Sequence, residues 1–187
     1  MTKDVRLFVM KCEVYQKCKY DRSAYSGLLQ PLPIPKRIWQ HITMDFIEGL
    51  PNSNAKQVIC VVVDKLSKVA HLLALSHPYT TTEVAQSFLD NVFKLHGFPD
   101  PITSDKDVIV VSQFWKDLIA FQGVQLQVSL AYHPQKDGQT EIVNRCLETL
   151  LRCMCCDTPH EWSKWLPLAK WCYNTNHHTL YRVVLMR

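Results

Sequence analysis

Apolar and polar positions along this chain fall into blocks of two periods, one near two and one near three to four, and the blocks come in a definite order. Ile42 to Ile47 and the β-branched block Val58 to Val63 read as strands, and Val69 to Leu75 as a third joined to the second by a tight turn. Three neighbouring strands imply an antiparallel start. Thr80 and Glu83 offer a capping box, and apolar residues at 84, 88, 89, 92 and 93 follow helical spacing until Gly97 and Pro99 stop it. A short strand at Pro101 to Ser104 leads to a helix capped by Ser112 and ending near Gly123, then to a strand at Gln125 to Ser129.

The third helix begins near Thr140, with Val143, Cys146, Leu147, Leu150, Leu151 and Met154 on one face and Glu141, Arg145, Glu148 and Arg152 on the other. A last helix, Glu161 to Asn174, carries Trp162, Trp165, Leu166, Ala169 and Cys172, with a kink expected at Pro167. The first forty residues end in the run Pro31-Leu32-Pro33-Ile34-Pro35 and are expected to lack regular structure, as a leader and linker. A strand meander followed by alternating helices and strands predicts an α/β fold, a mixed five-stranded sheet flanked by helices. The RNase H-like fold, among others, fits that description.

At 187 residues the chain suffices for one domain with a core and short extensions. No apolar run approaches a membrane span or a signal peptide. The net charge of +4 is compatible with a polyanionic partner and decides nothing by itself. The eight cysteines lie mostly inside apolar patterns and read as reduced core thiols, which implies a nuclear or cytoplasmic protein.

Three carboxylates stand out. Asp45 interrupts an apolar strand, where burial is costly without a cationic partner. Asp105 ends another strand, and Glu141 opens the polar face of the third helix, after the 35 residues 106–140. Taken singly, each has an ordinary reading: a hydrogen-bonded strand aspartate, a turn cap, a first-turn glutamate favoured by the helix dipole. If the two strands are neighbours and the helix crosses their ends, the three converge, and protons or hard divalent cations must relieve their repulsion.

The segments around these carboxylates resemble gypsy-type LTR-retrotransposon integrases: Met44-Asp45-Phe46-Ile47-Glu48-Gly49-Leu50-Pro51, Val61 to Lys68, Leu95-His96-Gly97-Phe98-Pro99 and Ser104-Asp105-Lys106-Asp107. The most specific is Ala131-Tyr132-His133-Pro134-Gln135-Lys136-Asp137-Gly138-Gln139-Thr140-Glu141. The resemblance runs from about residue 12 to about residue 177 in the family's order, and it places the catalytic core at 41–178. It implies an RNase H-like fold and a triad of Asp45, Asp105 and Glu141 holding two magnesium or manganese ions for 3′-end cleavage and strand transfer of retroelement DNA. DNA would be the partner and a homo-oligomer the working form. Asn144, one turn after Glu141, would lie beside it and contact DNA, while Lys136 and Arg145 could meet phosphates. Asp64 and Asp107 read as strand-end and loop residues.

Such integrases carry a His-His-Cys-Cys zinc module before the core. Here Tyr15 stands where a second cysteine would follow Cys12, and no histidine pair precedes it, so residues 1–40 are expected to be a remnant that binds no zinc. Cys153, Cys155 and Cys156 are expected to be helix-core thiols. Val108 to Val111 replace the family's proline and aromatic residue after Asp105, and 179–187 forms a divergent tail. These departures suggest a truncated copy and motivate an alternative: a catalytically silent relic that binds nucleic acid or a partner.

Overall fold

The computed structural model describes residues 3–18, 35–99, 102–104, 113–114, 116–118, 138–175, 177–178 and 183–184. Strands β1 (Ile42–Ile47), β2 (Val58–Asp64), β3 (Ala70–Leu75) and β4 (Ile102–Ser104) form one sheet in the order β3-β2-β1-β4. The first three pair antiparallel, with Asp45 opposite Val61 and Val62 opposite His71. Strand β4 lies parallel to β1, with Met44 opposite Ser104. The sheet is therefore mixed, as expected, but has four strands rather than five among the described residues; the expected strand at Gln125 to Ser129 lies outside them.

Side-chain alternation sorts the centre of the sheet into two cores. On one face Val58, Cys60 and Val62 meet Val84, Phe88 and Val92 of the helix that follows β3; on the other Ile59, Val61 and Val63 meet Val143, Leu147, Leu151, Trp162 and Leu166. Every residue of β2 is buried, which explains its unbroken β-branched run, since a strand covered on both faces has no polar side. The architecture is helix, sheet, helix in three layers.

Helix α3 (Thr81–Phe88) starts at the expected capping box: Thr80 Oγ1 accepts from the Glu83 amide at 3.2 Å, and Glu83 Oε2 accepts from the Thr80 amide at 2.8 Å. It continues through an unexpected π-helical turn, Leu89–Phe93, into a last turn at Lys94–His96. Gly97 ends it at φ 76°, a conformation that costs glycine little. Gln113, Phe114 and 116–118 are helical, with Phe114 and Leu118 buried; both ends expected for that helix lie outside the described residues.

Helix α4 (Gly138–Cys155) presents the expected faces. Val143, Leu147 and Leu151 are buried, whereas Glu141, Arg145, Glu148 and Arg152 are solvent-facing. Helix α5 (Trp162–Thr175) runs on through Pro167 without interruption. The proline removes the amide that would bond to the Ser163 carbonyl. The start of α5 is held from outside, by Trp162 Nε1 donating to the Pro51 carbonyl at 2.7 Å and the Ser163 amide donating to Ser53 Oγ at 3.1 Å. Near its other end the fully buried Asn174 accepts from the Ala70 amide and donates to the Ala70 carbonyl, both at 2.9 Å. That amide substitutes for a neighbouring strand at the outer edge of β3.

Two expectations fail. Residues Lys3–Lys11 and Glu13–Cys18 form helices α1 and α2, and α2 packs against α4, although the first forty residues were expected to be irregular. The prolines that motivated that reading all lie at 31 and beyond, too far to constrain residues 3–18. Cys155 is a buried core thiol, but Cys156 is exposed at φ 43°, just past the end of α4. A two-stranded ribbon, His177–His178 with Val183–Val184, lies in a part of the chain for which no element was predicted. Among the described residues no helix is long and apolar enough to cross a membrane.

Candidate metal and nucleic-acid site

Strand β1 points Ile42 and Met44 into the core beneath α3, so the period of two turns Asp45 to the opposite face, where α4 packs. There the half-buried carboxylate is held at both oxygens. Its Oδ1 accepts from the Phe46 amide at 2.8 Å, and its Oδ2 accepts from Asn144 Nδ2 at 2.5 Å. The charge reaches the core behind it: burial pushes the Cys60 thiol well above the usual range for a cysteine, and the Asp45 carboxylate adds to the shift.

Asn144 was expected beside Glu141, in contact with DNA. It does lie one turn further along α4, but its amide is turned to Asp45 and bridges helix to strand. Its Oδ1 is buried and has no hydrogen-bond partner among the described residues, an acceptor left over beside a carboxylate. A buried carbonyl oxygen in that state is satisfied by a cation or an ordered water.

Glu141 stands in the first turns of α4 with its side chain 63% exposed, and it is ion-paired with Arg145 one turn on. At that exposure the pair is a surface contact worth about 0.3–0.5 kcal/mol. The sequence candidates thus form two contacts, Asp45 with Asn144 and Glu141 with Arg145, on consecutive turns of one helix. Asp105 and Lys136 lie outside the described residues. Among the described residues no three of His, Cys, Asp and Glu cluster closely enough to hold a metal. Strand β4 ends at Ser104, opposite Met44, and in the sequence each of these two residues is followed by an aspartate.

Asp64, read as a strand-end residue, is one. It is fully buried at the end of β2, accepting from the Trp39 amide at 2.9 Å and from the Ser67 amide and hydroxyl at 2.7 and 2.6 Å. What the sequence did not reveal is a polar chain at the outer edge of β3, where His71, His96 and Lys170 meet. The only sequence signal was a histidine inside the apolar strand Ala70–Leu75.

No family model matches the chain. It is 37% identical over 177 residues, 95% of its length, to the Transposon Tf2-3 and Tf2-4 polyproteins of Schizosaccharomyces pombe. The chain spans about 13% of the length of these relatives. Among solved structures, the HTLV-2 integrase catalytic core domain in complex with magnesium superposes with a TM-score of 0.59 at 19% identity, covering 78% of this chain and 93% of that one. The simian T-cell lymphotropic virus intasome in complex with a PP2A regulatory subunit superposes with a TM-score of 0.63, also at 19% identity, covering 99% of this chain and 65% of that one. The fold is that of an integrase catalytic core, and over 95% of its length the sequence is similar to a segment of the Tf2 transposon polyproteins.

Proposed function

We propose that this chain is the catalytic core of a metal-dependent polynucleotidyl transferase that cleaves the 3′ ends of retroelement DNA and joins them to target DNA. The observation that carries the reading is the seating of Asp45 against α4, tied to Asn144 one turn from Glu141. Asp105, which follows the strand paired in parallel with β1, is the third carboxylate in this reading. Oxygen donors throughout, with the leftover Asn144 Oδ1 among them, suit magnesium or manganese rather than a softer metal. Asp45, Asp105 and Glu141 would hold two such ions, which when bound supply an activated oxygen nucleophile and neutralise charge at the phosphate. By fold-level analogy, the HTLV-2 core was solved with magnesium.

The chain's own groups have distinct tasks. Asn144 fixes the orientation of Asp45 by occupying one lone pair of Oδ2. Arg145, now on Glu141, exchanges that carboxylate for a DNA phosphate, and Lys136 makes a second phosphate contact. Such contacts position the backbone and read no sequence, so binding by this chain is weak and strongly dependent on salt. DNA is the partner, the working form is a homo-oligomer, and the compartment is nuclear or cytoplasmic.

A second reading, a nucleic-acid-binding relic without catalysis, rests on Glu141 being occupied by Arg145. Labelled duplex ends incubated with the purified chain and Mn²⁺ or Mg²⁺ separate the two. Slow strand cleavage that disappears in Glu141→Gln while DNA binding persists is the expected result. Cleavage unaffected by Glu141→Gln would overturn the assignment of this site, and binding without any wild-type cleavage would establish the second reading.

A further inference from the structure

His71 lies on the edge strand β3 and is almost fully buried, an uncommon place for an imidazole. Its Nδ1 is 2.9 Å from Lys170 Nζ of α5, and its Nε2 is 3.0 Å from His96 Nε2 in the last turn after α3. The His96 ring stacks on Trp39, with centroids 3.9 Å apart and planes at 8°, and the Trp39 amide donates to Asp64. One continuous chain of contacts thus runs from the end of β2 to α5, through Asp64, Trp39, His96, His71 and Lys170.

Proton counting fixes the state of this chain. The Lys170 ammonium only donates, so His71 Nδ1 must accept and its proton sits on Nε2. His71 Nε2–H then donates to His96 Nε2, and the His96 proton sits on Nδ1. Both rings are neutral and every facing nitrogen is used. A further proton can enter only at His96 Nε2 or at His71 Nδ1. The first sets two N–H groups against each other, and the second sets one against the Lys170 ammonium. No rearrangement of tautomers keeps both hydrogen bonds.

We propose that His71, His96 and Lys170 form a proton-counting latch that fastens α5 and the last turn after α3 to the edge of the sheet, and that opens in acid. It is independent of the metal chemistry at Asp45. Burial lowers the pKa of both histidines; Lys170 and then His96 add to it at His71, which falls to about 3, while at His96 the Asp64 carboxylate pulls upward against burial and Lys170. His96 is thus the point of proton entry. Lys94, beside His96, is exposed, and Lys170 is itself lowered by burial. Because α5 packs along α4, an opened latch loosens the support of the helix that carries Asn144 and Glu141.

The sign follows from linkage. A histidine held neutral in the fold contributes stability that is complete above the unfolded value near 6.5 and is lost as pH falls towards its folded value. Below pH 6.5 His71 lowers the folding constant tenfold per pH unit until its folded value is approached, and His96 adds a loss of the same sign.

Nitrogen-15 NMR of the histidine-labelled full chain at pH 7.5 should show His71 as the Nε2–H tautomer and His96 as the Nδ1–H tautomer. Acidification should protonate His96 first, together with faster amide exchange in Lys94–His96 and around Lys170. His96→Gln keeps an acceptor without a titratable group, and should make the folding constant fall less steeply with acid than in the wild type. Lys170→Met should raise the His71 pKa. Should either variant fail to fold, the wild-type tautomers decide alone. Independent titration of both rings near pH 6.5 would overturn the latch, and so would zinc binding that shifts both Nε2 resonances, which would mark a metal site instead.

Discussion

Asn144 Nδ2 donates to Asp45 Oδ2 at 2.5 Å, across 99 residues of sequence, and this bond is what joins the helix of one candidate carboxylate to the strand of the other. Its other amide atom, the buried Oδ1, has no partner among the described residues. The residue therefore orients Asp45 and leaves an acceptor facing the same place, two features that a leucine of similar size would lose together.

Replacing Asn144 by Leu should reduce metal-dependent strand cleavage by roughly ten- to a hundredfold, the effect usual for a residue that orients a metal ligand. Folding should be retained, as seen by an unchanged circular dichroism spectrum. Cleavage equal to wild type in Asn144→Leu would remove its positioning role.

Arg145→Ala removes an exposed ion pair, so stability in urea should change by no more than about 0.5 kcal/mol. DNA binding should weaken at every sequence tested, and the slope of log affinity against log salt should fall by about one. An unchanged salt slope would show that Arg145 makes no phosphate contact.

Thr80→Ala breaks a capping box seen at both of its hydrogen bonds and should cost about 1 kcal/mol in denaturant titration. Thr80→Ser should restore most of it. Because α3 packs on the sheet face that carries Ile42 and Met44, opposite the face of Asp45, the DNA-binding properties of Thr80→Ala should be those of wild type.

Asp64→Ala leaves the buried Trp39 amide and the half-buried Ser67 amide without their acceptor, at a cost of about 1–3 kcal/mol for the buried donor. The loss should appear as a lowered midpoint in chemical denaturation. The Trp39 indole, which stacks on His96, should report the same change by fluorescence. A neutral effect would mean that water replaces the carboxylate at both amides.

Much of this architecture was legible from periodicity. The two-residue alternation in Ile42–Ile47 and the capping box at Thr80 depend on neighbours in sequence, and both were read correctly. The faces of α4 followed from its helical spacing for the same reason. Long motifs around Asp45 and Glu141 also indicated the family, since their order and spacing carry information that no single residue does. The helices at residues 3–18 are not signalled by the prolines at 31, 33 and 35, which restrict only their immediate neighbours. The π turn at Leu89–Phe93 was missed because its side chains keep an apolar pattern that an ordinary helix would also show.

The sequence by itself determined the strands at Ile42–Ile47, Val58–Asp64 and Ala70–Leu75, the capped start of α3 and the faces of α4, because these are set by local sterics and side-chain periodicity. Only the tertiary structure decided that Asn144 bonds to Asp45, that Asn174 closes the edge of β3, and that His71, His96 and Lys170 form one chain. These are contacts across 25 to 104 residues, made where α4, α5 and the end of α3 meet the sheet. No local propensity encodes them; each exists because burying a polar group leaves it no water, and the nearest satisfying partner comes from another element of the fold.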